Sequence, residues 1–393
     1  MYGFRKPFTV GTYDSYTFLG INYKVCLVIS QVIGYMLSKL FGIKFISSMP
    51  NRNRANKIVY CVFASWISLL LFAITPAPYN LIFIFFNGLP LGLLFGLVFS
   101  FLEGRKTTEI LGAFLVSSFI FASGFAKTVG KYILLNFSIP EYWMPFTAGA
   151  IYIVPLFVSV YFLHILPPPN AEDTLLRSQR DAMNKYDRKN FLKLFKWMVF
   201  PIVIVYTILT ISRDFIEDFA NEFWIENGYM DMSAVFTNIS MLVSIIILIV
   251  FASCFMIRKN KVALNYMYIV IIIGLLFMLF SSFLFSLHHI SAFYWMLFTS
   301  TGLYMAYLPF NGLYFDRFIA VFKIKANVGF IMYLADTFGY LGTVVLLVMK
   351  SLFKFNFTWT IFLINLMLVA SLLSLIFIVY TFFINKLKLL EYE

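Results

Sequence analysis

An all-α membrane protein of many passes is the fold class this chain predicts, on three observations. Of its 393 residues, 61% are hydrophobic and only 12% charged, where soluble domains carry about 45–50% and about 25%. The apolar residues gather into eleven runs, each long enough to cross a hydrocarbon core of about 30 Å. The polar residues between them form short connections, so no soluble domain of useful size fits beside the helices.

The runs lie near 24–46, 57–75, 80–102, 108–134 and 143–166, then, after a polar stretch, near 197–219, 233–257, 262–287, 291–315, 326–350 and 357–384. The first thirteen residues, MYGFRKPFTVGTY, are apolar and aromatic. At about 1.5 Å per residue they cross only part of a bilayer. They read as the second half of a twelfth, truncated helix, whose start is expected about fifteen residues before Met1. The organisation that follows is an N-terminal bundle over 1–166, a basic cytoplasmic linker over 167–196 and a C-terminal bundle over 197–393. The linker opens on Pro167, Pro168 and Pro169 and carries Arg177, Arg180, Lys185, Arg188, Lys189 and Lys193. Its basic amphipathic pattern suits anionic lipid headgroups.

The net charge is +12, from 30 basic and 18 acidic residues. Its distribution sets the orientation, because basic residues in short loops favour the cytoplasm. Arg52, Arg54 and Lys57, then Arg105 and Lys106, then Arg258, Lys259 and Lys261, then Arg317, Lys323 and Lys325 recur on alternate connections. The opposite loops, TPAPYN, NFSIPEYW and SLHHIS, have almost none, although Lys350 and Lys354 border the last. Both termini are therefore expected in the cytoplasm, with the chain multi-pass in the plasma (inner) membrane. Charge spread over loops this way is not the solvated patch of a nucleic-acid binder. Cys26, Cys61 and Cys254 each sit inside an apolar run, which indicates neither a disulfide framework nor zinc. His164, His288 and His289 do not combine with carboxylates into a metal set, and no serine-nucleophile or phosphate-cradling glycine motif is present. No cofactor and no enzymatic chemistry is called for, and a monomer is expected.

The informative residues are charges within the apolar runs, where an ionisable group is a functional hypothesis by default. Arg5 and Lys6 lie in the first partial span, Lys39 toward the cytoplasmic half of the next, and Lys127 deep in the fifth. Arg213 follows VFPIVIVYTILTIS without an intervening charge, and Asp214, Glu217 and Asp218 come directly after it. Glu217 is four residues from Arg213, so the two share a helix face and invite an ion pair. Asp336 falls near the middle of the eleventh span. Asp214, Glu217 and Asp336 are the candidates for carrying protons, since burial favours the neutral carboxyl.

Two echoes relate the halves. Gly88-Leu89 with a terminal Glu103-Gly104-Arg105 parallels Gly302-Leu303 with Asp316-Arg317, and Arg5-Lys6-Pro7-Phe8 parallels Arg213-Asp214-Phe215. A duplicated six-plus-six plan resembles the major facilitator superfamily, and finer motifs resemble its organophosphate:phosphate antiporter branch. Tyr2-Gly3-Phe4-Arg5-Lys6-Pro7-Phe8 is similar to that branch's first-helix Tyr-x-x-Arg-Lys-x-Phe, and Gly34 to Lys39 to its second-helix segment ending in Ser-Lys. The resemblance implies alternating-access transport of a small organic anion, phosphorylated or carboxylated. Arg5 and Arg213 would grip the anion, Lys39 would add positive potential, and Lys127 would replace the branch's fifth-helix histidine. That helix's His-Asn-Val-Gly-Gly is missing here, with Ser117-Ser118 near its place, which marks a divergent offshoot. Two alternatives stay open from sequence: a non-transporting receptor or sensor on the same fold, and a proton-coupled symporter of a neutral or cationic solute with Arg213 locked to Glu217.

Overall fold

The computed structural model describes residues 1–47, 54–102, 108–167, 185–257, 259–311, 313–322, 328–352 and 358–392. Among them are fourteen α-helices. They are α1 (Tyr23–Ser47), α2 (Arg54–Ile74), α3 (Leu81–Leu102), α4 (Thr108–Asn136), α5 (Met144–Ile151), α6 (Ile153–His164) and α7 (Lys185–Asp218). After these come α8 (Ala220–Glu226), α9 (Val235–Phe255), α10 (Asn260–Ser286), α11 (Ala292–Tyr307), α12 (Leu313–Phe322), α13 (Val328–Leu352) and α14 (Trp359–Tyr392). Every one of the eleven expected spans coincides with a helix or a broken helix. Six helices among the described residues are by themselves long and apolar enough to cross a membrane, or seven if α5 and α6, bent by 45°, make one span.

Three departures from the sequence reading have physical causes. The N-terminal segment is not half an α-helix but two 3-10 turns, Tyr2–Phe4 and Pro7–Val10. Pro7 has no N–H to continue a ladder, and Gly11 leaves the second turn in an extended conformation at φ −75°, ψ 151°. The α5–α6 break comes at Tyr152; the ring of Pro155 collides with the carbonyl four residues earlier, at Ile151, where α5 ends. Between the first segment and α1, a small antiparallel hairpin pairs Thr17–Phe18 with Ile21–Asn22. Its turn residues Leu19 and Gly20 have φ of 54° and 76°, the doubly positive pattern of a tight two-residue turn.

The described residues fall into two compact units. The first comprises those of Met1–Leu176, Glu217–Met241 and Val344–Trp359; the second, those of Arg177–Ile216, Leu242–Thr343 and Thr360–Glu393. The boundary thus cuts α7 between Ile216 and Glu217. Glu103-Gly104-Arg105, Arg177 and Arg180 of the linker, and the loop residues Arg52, Lys106, Arg258, Lys323 and Lys325 lie outside the described residues.

In the first unit, α1 crosses α3 at glycines: a methyl group on Gly34 would strike the Phe85 carbonyl, and one on Gly88 the carbonyl of Gln31. Such backbone proximity is how apolar helices associate where lipid removes the hydrophobic drive. The carboxylate of Glu141, in the loop before α5, accepts the Thr12 and Tyr13 backbone N–H groups, both at 2.9 Å, and so ties down the N-terminal segment. On α4, Thr128 donates to the Ser233 carbonyl and accepts the backbone N–H of Thr237 on α9 at 3.1 Å. In the second unit, α10 and α11 cross at Gly274 and Gly302, each close to the other's carbonyl. Ser281 and Thr299 join the same pair of helices at 2.8 Å.

Candidate functional site

Among the described residues, the charges that the sequence places within the apolar runs fall into three groups. The first is built on Tyr35 of α1. The Arg5 guanidinium lies 4.2 Å from the Tyr35 ring centre and the Lys39 ammonium 5.4 Å from it, within cation–π range. Tyr35 and Lys39 are four residues apart on one face of α1, while Arg5, 7% exposed, comes from between the two 3-10 turns. Its backbone is anchored from two helices. Gln31 donates to the Arg5 carbonyl at 3.3 Å, and Asn87 of α3 donates to the Phe4 carbonyl at 3.0 Å. Asn87 also accepts from Gln31 at 2.8 Å and donates to Ser65 Oγ at 2.6 Å. This buried amide network orients an irregular backbone that would otherwise leave carbonyls unsatisfied.

The second group is a two-column ladder. On α4, Ser123, Lys127 and Lys131 recur every four residues; across the α7–α8 junction, so do Glu217 and Asn221, and so do Asp218 and Glu222. The first column faces α4. Glu217 Oε2 accepts from Lys127 Nζ at 2.7 Å and from Ser123 Oγ, and Lys131 Nζ donates to Asn221 Oδ1 at 3.3 Å. The second column faces the N-terminal segment and α1. Asp218 Oδ1 accepts from Lys6 Nζ at 2.5 Å, and Glu222 accepts from Lys24, whose ammonium also donates to the Thr9 carbonyl at 2.5 Å. Lys6 lies 4.0 Å from Glu217 as well, which links the columns. The helix breaks at Phe219, whose ring stacks on Trp359 with centroids 4.1 Å apart.

The third group lies in the second unit. Arg213 donates to Asp214 Oδ1 through Nη2 at 2.6 Å and Nε at 3.1 Å, and its Nη1 donates to the hydroxyl of Tyr307 on α11. Asp214 Oδ2 accepts from Thr343 of α13 at 3.0 Å. Tyr307 is 3.1 Å from the Tyr206 hydroxyl, which donates to Asp336 Oδ1 at 2.5 Å and lies 3.3 Å from Asn311 Oδ1. A continuous line of hydrogen bonds thus runs from Thr343 to Asp336.

These positions reassort the predicted residues. Arg5 and Lys39 share one ring. Lys127 and Glu217, assigned different roles from sequence, are bonded to each other. Arg213 takes Asp214 and Tyr307, whereas Glu217, its partner in helix spacing, lies in the first unit. Sequence reasoning did not single out Lys24, Lys131, Tyr206, Tyr307 or Asn87. Lys131 carried a readable signal, being four residues after Lys127; the tyrosines and the amide carried none in a chain with 24 tyrosines. Among the described residues, no three His, Cys, Asp or Glu side chains gather as a metal site would require.

Residues 7–387 match the model described as "Family of unknown function (DUF5690)". The chain belongs to the DUF5690 family. No functionally curated protein matches its sequence. Solved structures do match its fold. The D-xylose-proton symporter aligns with a TM-score of 0.65 at 14% identity, over 95% of this chain and 94% of that one. A bacterial homolog of the human lysosomal transporter Spinster, inward-facing and unoccupied, gives 0.63 at 11%, over 98% and 94%. The human organic anion transporter MFSD10 gives 0.57 at 13%, over 91% and 83%. At these identities what is shared is the fold. This DUF5690 chain has the all-α fold of those three transporter structures.

Proposed function

We propose that this protein is a secondary active transporter of a small organic anion, phosphorylated or carboxylated, working by alternating access. The observation that carries the reading is Arg5, buried within the helices and laid flat against Tyr35, with Lys39 on the same ring. A stacked guanidinium has its planar fork pre-oriented for two parallel bonds to phosphate or carboxylate. Charge placed at such depth calls for a functional use. Arg213 and Lys127 are further cationic contacts for the same class of ligand, and Asp214, Glu217 and Asp336 are the carboxyls available for proton coupling. The antiporter-branch motifs around Arg5 and Lys39 favour the anion, and the fold is one also used by an organic anion transporter. The loop charges favour an inner-membrane protein with both termini in the cytoplasm.

The test is uptake by proteoliposomes of the full chain, offered labelled phosphate, sugar phosphates and dicarboxylates, alongside thermal-shift titration with the same compounds. A ligand at about a hundred times its Kd adds about 2.7 kcal/mol of stability. Anion-specific uptake and stabilisation that Arg5→Gln removes, in a variant that remains folded, is the expected result. Uptake of neutral sugars with no anion response would refute the substrate class. Anion stabilisation without uptake would favour the receptor reading.

A further inference from the structure

Among the described apolar spans α7 is the most enclosed: 61% of its apolar stretch is buried, against 44% or less in the other five. From Pro201 to Asp218 none of its side chains is exposed. What α7 leaves open lies at its N-terminal end, where Trp197 and Phe200 are 64% and 67% exposed and Lys193 and Lys196 are exposed beside them. At 3.6 residues per turn these four positions fall within about 100° of the helix circumference, so they form one stripe. Phe200 is its deepest member and Lys193 its outermost, about 10 Å apart along the axis.

The opposite side of the same turns is committed to protein. Phe195 is buried, with its ring 5.9 and 5.6 Å from those of Phe318 and Phe322 on α12. The Lys388 ammonium of α14 lies 4.5 Å from the Phe195 ring centre. With that side held, the stripe looks away from the second unit. Its side chains also lean toward the helix N-terminus, which carries the two ammonium groups outward from the apolar rings. The Lys196 ammonium lies 4.9 Å from the Trp197 ring centre, a lysine stem lying along an apolar surface with its charge at the edge.

From this geometry we infer that the stripe is a binding site for one anionic phospholipid of the leaflet at that end, with Lys193 and Lys196 on its phosphate and Trp197 and Phe200 along its acyl chains. Charge decides the class of lipid. The segment KLFKWMVF from Lys193 to Phe200 has two cations and no acid, so a headgroup that brings its own ammonium offers less than one with net negative charge. The tryptophan between the lysines and Phe200 suits the headgroup level of the bilayer, where amphipathic rings gather. The loop charges assign this end to the cytoplasm, the side on which anionic lipid attracts basic segments. The inference is independent of what the protein transports.

The experiment uses the full chain in phosphatidylcholine liposomes doped with either brominated phosphatidylglycerol or brominated phosphatidylcholine, because bromine on an acyl chain quenches an indole in contact with it. The chain has six tryptophans, so the Trp197 signal is taken as the difference between the parent and Trp197→Phe. A lysine near an anionic surface is worth about fivefold in binding. The anionic lipid should therefore be preferred about 25-fold, each of Lys193→Gln and Lys196→Gln should lower the preference about fivefold, and the double variant should abolish it. Lys193→Arg with Lys196→Arg should keep it, which separates loss of charge from loss of fold. Equal quenching of Trp197 by both lipids overturns the inference, as does a preference that survives the double glutamine variant. Absence of quenching by either lipid would mean that another protein surface covers the stripe, and overturns it as well. Since no transported solute is present, none of these outcomes bears on the transport reading.

Discussion

Glu217→Gln is the substitution with the most calculable consequence. Glu217 Oε2 lies 2.7 Å from Lys127 Nζ and 4.0 Å from Lys6 Nζ. At an effective dielectric of about 20 these separations correspond to attractions of about 6 and about 4 kcal/mol. Most of that offsets the desolvation of three groups whose side chains are 13%, 6% and 4% exposed. What survives is the penalty of leaving a buried cation uncompensated, about 3–5 kcal/mol. The low end, about 3 kcal/mol, is expected here because a glutamine oxygen can still accept from Lys127 or Ser123. Replacing both partners, as Lys127→Met with Glu217→Met, should return stability to within about 1 kcal/mol of the parent. With Glu217→Met and Lys127→Met each costing about 3 kcal/mol alone, the cycle they form with the double variant yields a coupling of about 5 kcal/mol, measured by chemical unfolding of the purified protein in detergent. A coupling below about 0.5 kcal/mol would refute the claim that the ladder is an electrostatic unit, whatever the single variants do.

Three further outcomes follow from single contacts. Asn87→Leu removes the side-chain donor to the Phe4 carbonyl and the acceptor for Gln31 at once and should lower unfolding stability by about 3 kcal/mol; Asn87→Asp, which loses the donors but keeps the shape, should be no better. Gly274→Leu drives a side chain into the Gly302 carbonyl and Met305, more than the 1–3 kcal/mol of ordinary overpacking, and should elute as aggregate in gel filtration. Arg5→Lys keeps the charge but loses the stacked fork over Tyr35, so anion affinity in thermal-shift titration should fall about tenfold, or 1.4 kcal/mol, with the fold intact.

The helices were legible because a span is a local property: about twenty apolar residues declare it without reference to anything else. Their breaks were not. Four spans contain proline, yet Pro90 and Pro201 sit inside unbroken helices, while Pro155 and Pro309 coincide with the α5–α6 break and the 3-10 turn Leu308–Asn311. A proline's ring asks for a break, and the neighbouring packing decides whether one occurs. Phe219 breaks α7 with no proline at all, where its ring lies against Trp359, 140 residues along the chain. Nothing near Phe219 in sequence encodes that contact.

The site divides along the same line. Which residues carry charge at depth was plain from the runs, and the four-residue spacing of Ser123, Lys127 and Lys131, or of Glu217 and Asn221, could be read from helix geometry. Which column faces which could not. The local rule offered Glu217 to Arg213, but another helix offered it Lys127. One constraint was nevertheless available in advance. The stretch from Arg213 to Glu222 holds one arginine against Asp214, Glu217, Asp218 and Glu222, an excess of three negative charges. Buried charge of that size has to be met by cations brought from other elements. Among the described residues, Lys127, Lys6 and Lys24 meet it, one from each of α4, the N-terminal segment and α1. The need was therefore set by composition and the identities by topology. It follows that neutralising any one of the three lysines should destabilise the fold, whereas neutralising it together with its own acid should not.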